Sequence, residues 1–430
     1  MLSDNVLLRQ NTHGAARAAQ VCADASPSSP SGAFLGTTAN IQATRQDKAF
    51  RPVGSSKTDP ETGEIITLSP SGLTVRDAAE CRLERFALQS VVRDLLPDSR
   101  TAKCLRWRQK DKSVQVWKSN QYHRAHYKGL QTCSSVWACP VCAAKISERR
   151  RSELEILIAS HQAAGGVVLL VTRTFPHQRT DVLADLLGQM AKAEASYKAH
   201  RDYKAMVKAF GLVGAVRAVE VTHGANGWHP HVHELLFLSL AVVVDDLEED
   251  LFRLWQGAAV RAGLPSPSRA HGLQVQDGTH AAKYASKWGL EAELTQWHRK
   301  RGKVESQTPF DLLRRVFDIQ DKHAAALFRE YAEAFHGRHQ LQFSRGLKKL
   351  YAIAELSDEE LTQRQDDDAI LLGSLTSEQW KAVCDSGQRG ALLEVAASAG
   401  WDSVLSMIDT LMRSRGRAAK PDGPKVQHHV

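Results

Sequence analysis

The stretch Val213-Gly214-Ala215-Val216-Arg217-Ala218-Val219-Glu220-Val221-Thr222 decides the fold, together with the Gly224-Ala225-Asn226-Gly227 and Trp228-His229-Pro230-His231-Val232-His233-Glu234-Leu235-Leu236-Phe237-Leu238 that follow it. Two β-branched, apolar runs flank a Gly/Asn-rich connection, the pattern of an antiparallel hairpin. It predicts strands over Val213–Thr222 and His231–Leu240. Side chains alternate faces along a strand, so His229, His231 and His233 share one side. Val232, Leu236 and Leu238 take the other, while Leu235 and Phe237 continue the histidine face.

Imidazoles two residues apart on a strand can chelate one cation, and neutral imidazole suits several first-row metals. Pro230 has no N–H, which places it at the strand's first residue or at a sheet edge. His231 and His233 are therefore the better ligands and His229 lies at the rim. If the turn centres on Ala225–Asn226, Glu220 lies opposite His231 and offers a third ligand; a register slip of one residue turns it away. His177 is a weaker candidate. A lone strand histidine is usually a packing or surface residue, but three on one face would all need partners.

Downstream, the spacing predicts a helix over Thr279–Leu290. His280, Tyr284, Lys287 and Glu291 recur at i, i+4, i+7 and i+11, which puts imidazole, phenol, amine and carboxylate on one helical face. A phenol becomes a nucleophile when a nearby cation favours its phenolate. Lys287 can supply that cation, or can bind a phosphate under attack. Tyr-x-x-Lys is also a common surface pairing, and its weight here comes from following the histidines by about fifty residues.

Outward from these motifs, Val167–Phe175 reads as a strand, Asp181–Phe210 as a helix, Leu247–Ala262 as an amphipathic helix and Gly272–Gln276 as a short strand. Phe310–Phe317, Lys322–Phe335 and Glu378–Met412 carry helical periodicity. The order implies an α+β domain with a largely antiparallel sheet. Residues 1–75 are rich in Ser, Ala, Thr, Gly and Pro and read as a largely disordered segment. The remaining expected boundaries are 76–162 for a helix, a cysteine segment and a basic helix (Ala143–Gln162), 163–350 for the domain bearing both motifs, 351–412 for a helical C-terminal region, and 413–430 for a basic disordered tail.

Among the 430 residues 43% are apolar and 24% charged, with a net charge of +8. No run approaches the ~20 apolar residues a membrane-spanning helix needs, and no secretion signal is read at the N-terminus. A cytoplasmic protein is expected, and the positive charge favours a polyanionic partner without identifying one. Cys133-x5-Cys139-x2-Cys142 with upstream Cys104 has the composition of a four-cysteine zinc site, with His123 or His126 as replacements for Cys104; buried free thiols are the plainer alternative. Lys145, Arg149, Arg150 and Arg151 on the following helix are candidate contacts to DNA phosphates, or simply a solvated face.

Gly227-Trp228-His229-Pro230-His231-Val232-His233 and Ala282-Lys283-Tyr284-Ala285-Ser286-Lys287-Trp288-Gly289 together resemble the metal and nucleophile motifs of the HUH endonucleases. Within them the match is to the rolling-circle Rep initiators of small bacterial plasmids that use one catalytic tyrosine. Val168–Thr174 sits where that family has its first motif, and the Cys133–Cys142 segment resembles the one preceding its nuclease core. The resemblance covers about residues 100–350. It implies an HUH nuclease domain whose central antiparallel sheet is flanked by helices, preceded by the zinc segment and followed by helices. It further implies Mg2+ or Mn2+ on His231 and His233, structural Zn2+, Tyr284 as nucleophile with Lys287 as helper, plasmid origin DNA as substrate and a host helicase as partner. Some relatives carry a glutamate one turn before the tyrosine for the terminating cleavage; His280 stands there in this chain, with Glu291 or Glu293 as substitutes. Alternative readings are an HUH transposase or relaxase, which often has paired tyrosines, and a zinc-containing DNA-binding regulator without catalysis.

Overall fold

A computed structural model of the chain describes residues 56–59, 64–69, 72–73, 75–278, 281, 306–363 and 368–418. Three short strands, β1 (Ser56–Asp59), β2 (Glu64–Ser69) and β3 (Gly72–Leu73), form a small antiparallel sheet. They lie within the segment expected to be largely disordered: the β-branched run Ile65-Ile66-Thr67 pairs with Ser56, Lys57 and Thr58, where local β propensity prevails over the polar surroundings. Then come α1 (Val75–Leu95), α2 (Arg100–Lys103), β4 (Val114–Ser119), β5 (Ala125–Lys128) and α3 (Pro140–Ala163).

The central sheet is built from β6 (Val167–Arg173), β7 (Leu212–Gly224), β8 (Gly227–Leu238), β9 (Leu273–Gln276), β10 (Ser306–Gln307) and β11 (Leu341–Phe343). Its order is β10-β7-β8-β6-β9, with β11 also on β7, and every pairing is antiparallel. Between its strands run α4 (Leu183–Ala199), α5 (Arg201–Ala209), α6 (Val244–Arg261), α7 (Pro309–Ile319) and α8 (Lys322–Ala334). The helix expected over Asp181–Phe210 is two: His200 is extended (φ −60°, ψ 138°), ends α4, and its ring caps Asp202 N of α5.

The two sheet faces carry separate cores. Leu169, Val171, Val219, Val221, Val232, Leu236, Leu238 and Val275 meet the apolar stripes of α4, α6 and α8 on one side. Val168, Leu170, Val216, Ala218, Leu235 and Phe237 meet Leu154, Leu157 and Ile158 of α3 on the other. Both faces are therefore dry along much of their length, except where the histidines stand.

Short α9 (Leu347–Leu350) and α10 (Asp358–Gln363) lead to β12 (Ala369–Leu375), α11 (Ser377–Asp385), α12 (Arg389–Ser398) and α13 (Gly400–Ala418). The single periodic run Glu378–Met412 is broken into three helices by Gly387 and Gly400, both at left-handed φ (+71° and +80°) where glycine costs least. β12 joins β4 and β5 in a second antiparallel sheet, order β12-β4-β5. The region from residue 351 is thus not an appendage: Val114, Val116 and Ala125 share one core with Leu375, Trp380, Leu392, Val404 and Ile408. β4 and β5 escaped the sequence reading because each is short and half polar, and β12, which pairs with β4, lies some 250 residues away. Gly373 sits at the bulge in β12, where a Cβ would stand 2.1 Å from the Trp401 ring.

Candidate metal centre and four-cysteine site

Gly224 pairs with Gly227 across Ala225–Asn226, and Gly227 takes the left-handed step (φ +85°). That register sets Glu220 opposite His231 and Ala218 opposite His233. One Glu220 carboxylate oxygen, Oε2, stands 3.4 Å from His231 Nε2 and 3.5 Å from His233 Nε2. Ligand atoms about 2.1 Å from one cation lie roughly 3.0 Å apart at right angles and 3.4 Å apart in a tetrahedron. The three groups thus fit a single divalent ion.

The far side of each ring is also committed. His231 Nδ1 lies 3.2 Å from the His229 carbonyl oxygen, and His233 Nδ1 lies 2.9 Å from Thr172 Oγ1 on β6. With the proton on each Nδ1, both rings donate outward and turn the Nε2 lone pair toward Glu220, the usual support for a metal-bound histidine. Thr172 was not singled out from the sequence, and only the β6–β8 pairing of Thr172 with His233 reveals it.

Charge in the site follows its neighbours. When His231 and His233 carry protons on Nε2 instead, burial raises the Glu220 pKa but their hydrogen bonds and charge outweigh it and hold the carboxyl well below its ordinary value. Burial, with His231 and His177 alongside, pushes His229 down to about 4. Its ring stacks on His231 at 5.2 Å and meets His177 at 4.9 Å. Neither His229 nor His177 joins the cluster of candidate ligand atoms.

Directly behind His233, Glu234 points to the opposite sheet face. There Arg173 Nη1 (2.8 Å) and Lys198 Nζ (2.5 Å) grip it, and Arg173 also holds Glu194 at 2.6 and 2.9 Å. Arg173 is fully buried between Tyr197 and Trp255. This network ties β6, β8 and α4 together one residue from both Thr172 and His233. Removing one member of a buried network typically costs about 3–5 kcal/mol.

Tyr284, Lys287, His280, Glu291 and Glu293 lie outside the described residues. Ala281, shortly before the tyrosine in sequence, is buried in the core on the histidine face of the sheet, and its N–H bonds Asp277 O at 3.1 Å.

The four cysteines come together. Cys104 ends α2, Cys133 follows β5, Cys139 caps α3 and Cys142 lies in its first turn, and all four are buried. Their sulfurs are 3.5 Å (Cys104–Cys142), 3.7 Å (Cys133–Cys142) and 3.8 Å (Cys104–Cys139) apart. Disulfides would need about 2.05 Å. Tetrahedral Zn–S bonds of about 2.3 Å put sulfurs about 3.8 Å apart, so the set can hold a metal such as zinc. Although burial opposes the charge, sulfur hydrogen bonds from Cys104, Cys133 and Cys142 hold Cys139 well below the ordinary thiol range. Gln89 Nε2 adds a donor to Cys139 at 3.2 Å. Gln89 is in turn held by the buried Arg389 of α12 (2.8 Å), whose guanidinium also reaches the carbonyls of Leu105 (3.1 Å) and Cys104 (3.4 Å). His123 and His126 stay out of the cluster.

The cations on α3 turn inward. Lys145 bonds the Thr362 carbonyl, Arg150 bonds Glu153, Asp358 and the Leu356 carbonyl, and Arg151 pairs with Glu148 and Glu155. Lys145, Arg150 and Arg151, the expected phosphate contacts, thus each have partners within the fold. Arg149 also has a partner.

Fold and site together define a mixed α/β protein with a curled antiparallel sheet, a two-histidine, one-carboxylate centre on the sheet and a separate four-cysteine centre. Residues 125–383, more than half of the chain, match the family model described as replication protein (Rep_1), and the chain belongs to that family. It is 28% identical over 331 residues to "Protein rep" of Streptomyces lividans, a match covering 59% of this chain and 73% of the relative. It is also 31% identical over 135 residues to "Neomycin resistance protein" of Streptomyces cyanogenus, covering 26% of this chain and 31% of that protein. No solved structure matches significantly. Among the described residues no helix is long and apolar enough to cross a membrane.

Proposed function

We propose that this chain initiates rolling-circle replication of a plasmid by nicking origin DNA through an HUH-type, metal-dependent transesterification. The observation that carries the reading is the convergence of His231 Nε2 and His233 Nε2 on one oxygen of Glu220, with each Nδ1 tied behind it. Mg2+ or Mn2+ bound there would polarise the scissile phosphate oxygen and steady the charge that develops on it.

The protein's own groups do the rest. Tyr284 is the nucleophile and Lys287 the cation that favours its phenolate. The phenolate oxygen attacks phosphorus, the bond from phosphorus to the 3′ oxygen breaks, and the departing oxygen takes a proton to become a 3′-hydroxyl. The 5′ phosphate stays esterified to Tyr284, which conserves the bond energy for later rejoining without ATP. His231 and His233 hold their geometry because β8 and β6 are braced from the opposite face by Arg173, Glu194 and Glu234, and Glu220 because β7 pairs with β8 in register. The four-cysteine site, as a zinc centre, is structural: all four sulfurs are buried and no position is left for substrate. A host helicase is the expected partner after the nick.

Replacing Tyr284 with Phe tests the assignment. Supercoiled plasmid bearing the origin should no longer be nicked, with binding retained, and wild-type protein should yield a peptide carrying a 5′ nucleotide on Tyr284. Normal nicking by the Phe variant removes Tyr284 from the mechanism.

A further inference from the structure

The α3 cations have partners within the fold, whereas the loop joining Cys104 to β4 carries cations without such partners and has the chemistry of a DNA contact. Its sequence Lys103-Cys104-Leu105-Arg106-Trp107-Arg108-Gln109-Lys110-Asp111-Lys112-Ser113 carries five cations and one carboxylate. Residues 107–113 are all exposed, and Trp107 keeps 56% of its surface in solvent. Arg106 is occupied by the Cys384 carbonyl at 3.0 Å. Lys103, Arg108, Lys110 and Lys112 have no ion-pair partner among the described residues.

The loop is nonetheless ordered. Arg108 bridges Leu130, Gln109 N donates to Gly129 O (2.9 Å), Gln131 N to Trp107 O (2.8 Å) and Leu105 N to Gln131 O (2.8 Å). Its first anchor is Cys104 of the four-cysteine site. The loop curves around a concavity of about 670 Å3, lined from Trp107 to Ser113. Lys103 Nζ sits 4.8 Å over the Trp107 ring, which orients the indole. A large apolar ring fixed in water, framed by four unmatched cations on a pre-ordered backbone, has no role in the core. It has the two elements that hold a single strand: a stacking platform and a row of charges for the backbone.

We infer that this loop binds unpaired nucleotides of the DNA substrate, one base stacking on Trp107 and the flanking phosphates lying along Lys103, Arg108, Lys110 and Lys112. The inference rests on the proposed DNA-nicking function and extends it to a second contact outside the metal centre.

The test uses the full-length, zinc-loaded chain, a fluorescein-labelled oligo-dT 15-mer and its duplex form, with affinity read by anisotropy across a salt series. Trp107→Ala should weaken single-strand binding about tenfold, the factor carried by stacking of one base, with the salt slope unchanged and duplex affinity little altered. Trp107→Phe should recover most of the loss. Lys110→Glu/Lys112→Glu should lower the slope of log affinity against log salt by about 1.4, two phosphates at roughly 0.7 each on a single strand. Circular dichroism and bound zinc should match wild type in all three variants. Single-strand affinity and slope unchanged in both Trp107→Ala and the double variant overturn the inference, as does an equal loss on both DNA forms in Trp107→Ala. Metal-dependent nicking by wild-type protein is scored separately, so that absent nicking with Trp107-dependent binding condemns the function alone, and nicking with indifferent loop variants condemns the loop alone.

Discussion

Thr172→Val is the sharpest perturbation of the metal centre, because valine keeps the shape and β-propensity of threonine and deletes only the hydroxyl. His233 Nδ1 lies 2.9 Å from Thr172 Oγ1 and, in the tautomer that frees Nε2 for a metal, donates to it; His233 is half-buried, so water compensates the lost bond only in part. A hydrogen bond of this kind contributes about 0.5–1.5 kcal/mol net, which is roughly a two- to twelvefold change in an equilibrium constant. Losing the outer partner of a ligating histidine costs 10–100-fold in metal affinity. The two ranges meet near tenfold, and a tenfold weaker Mn2+ affinity is the expected result. Titration calorimetry, or the free Mn2+ signal in electron paramagnetic resonance, measures it without DNA and without turnover. Thr172→Ser should restore wild-type affinity, and the melting temperature of Thr172→Val should change by no more than a few degrees. Mn2+ affinity within twofold of wild type in a folded Thr172→Val protein refutes the claim that this hydroxyl orients His233.

Cys139→Ser should unfold the second sheet as well as the cysteine segment, because Arg389, Gln89 and Cys139 link them; hydrogen exchange over residues 114–128 and 369–398 reads this. Arg389→Met should destabilise the protein by about 3 kcal/mol in urea denaturation, since Gln89 and two backbone carbonyls lose their buried donor. Acid should weaken the fold through His126, which burial and then Lys145, Lys128 and Arg82 push down to about 3. Its folded pKa lies below the unfolded value of about 6.5, so the unfolded chain binds the extra proton and stability falls as pH drops from 6.5 toward 3, by about 2 kcal/mol at pH 5. His126→Gln should flatten that slope; an unchanged pH dependence would remove His126 from the account.

Much of the central hairpin was legible because its signals are local. Alternation, the Gly/Asn turn and the imidazole spacing lie within 28 consecutive residues, and a two-residue connection leaves little freedom in register. The cysteine cluster was legible by residue type and spacing, although Cys104 lies 29 residues before Cys133 and only the fold brings their sulfur-bearing segments together. The inward commitment of Arg150 and Arg151 was not legible, since a basic helical run looks alike whether its partners are phosphates or carboxylates.

By itself, then, the sequence determined the period-2 hairpin and brought Glu220, His231 and His233 forward as candidate ligands, because these depend on residues close in the chain. Tertiary structure alone decided that β12 completes the β4–β5 sheet, that Thr172 backs His233, that Arg389 reaches the cysteine site and that an ordered tryptophan loop is left in solvent. Those four depend on contacts between segments tens to hundreds of residues apart, fixed by sheet register and core packing, for which a linear pattern holds no record.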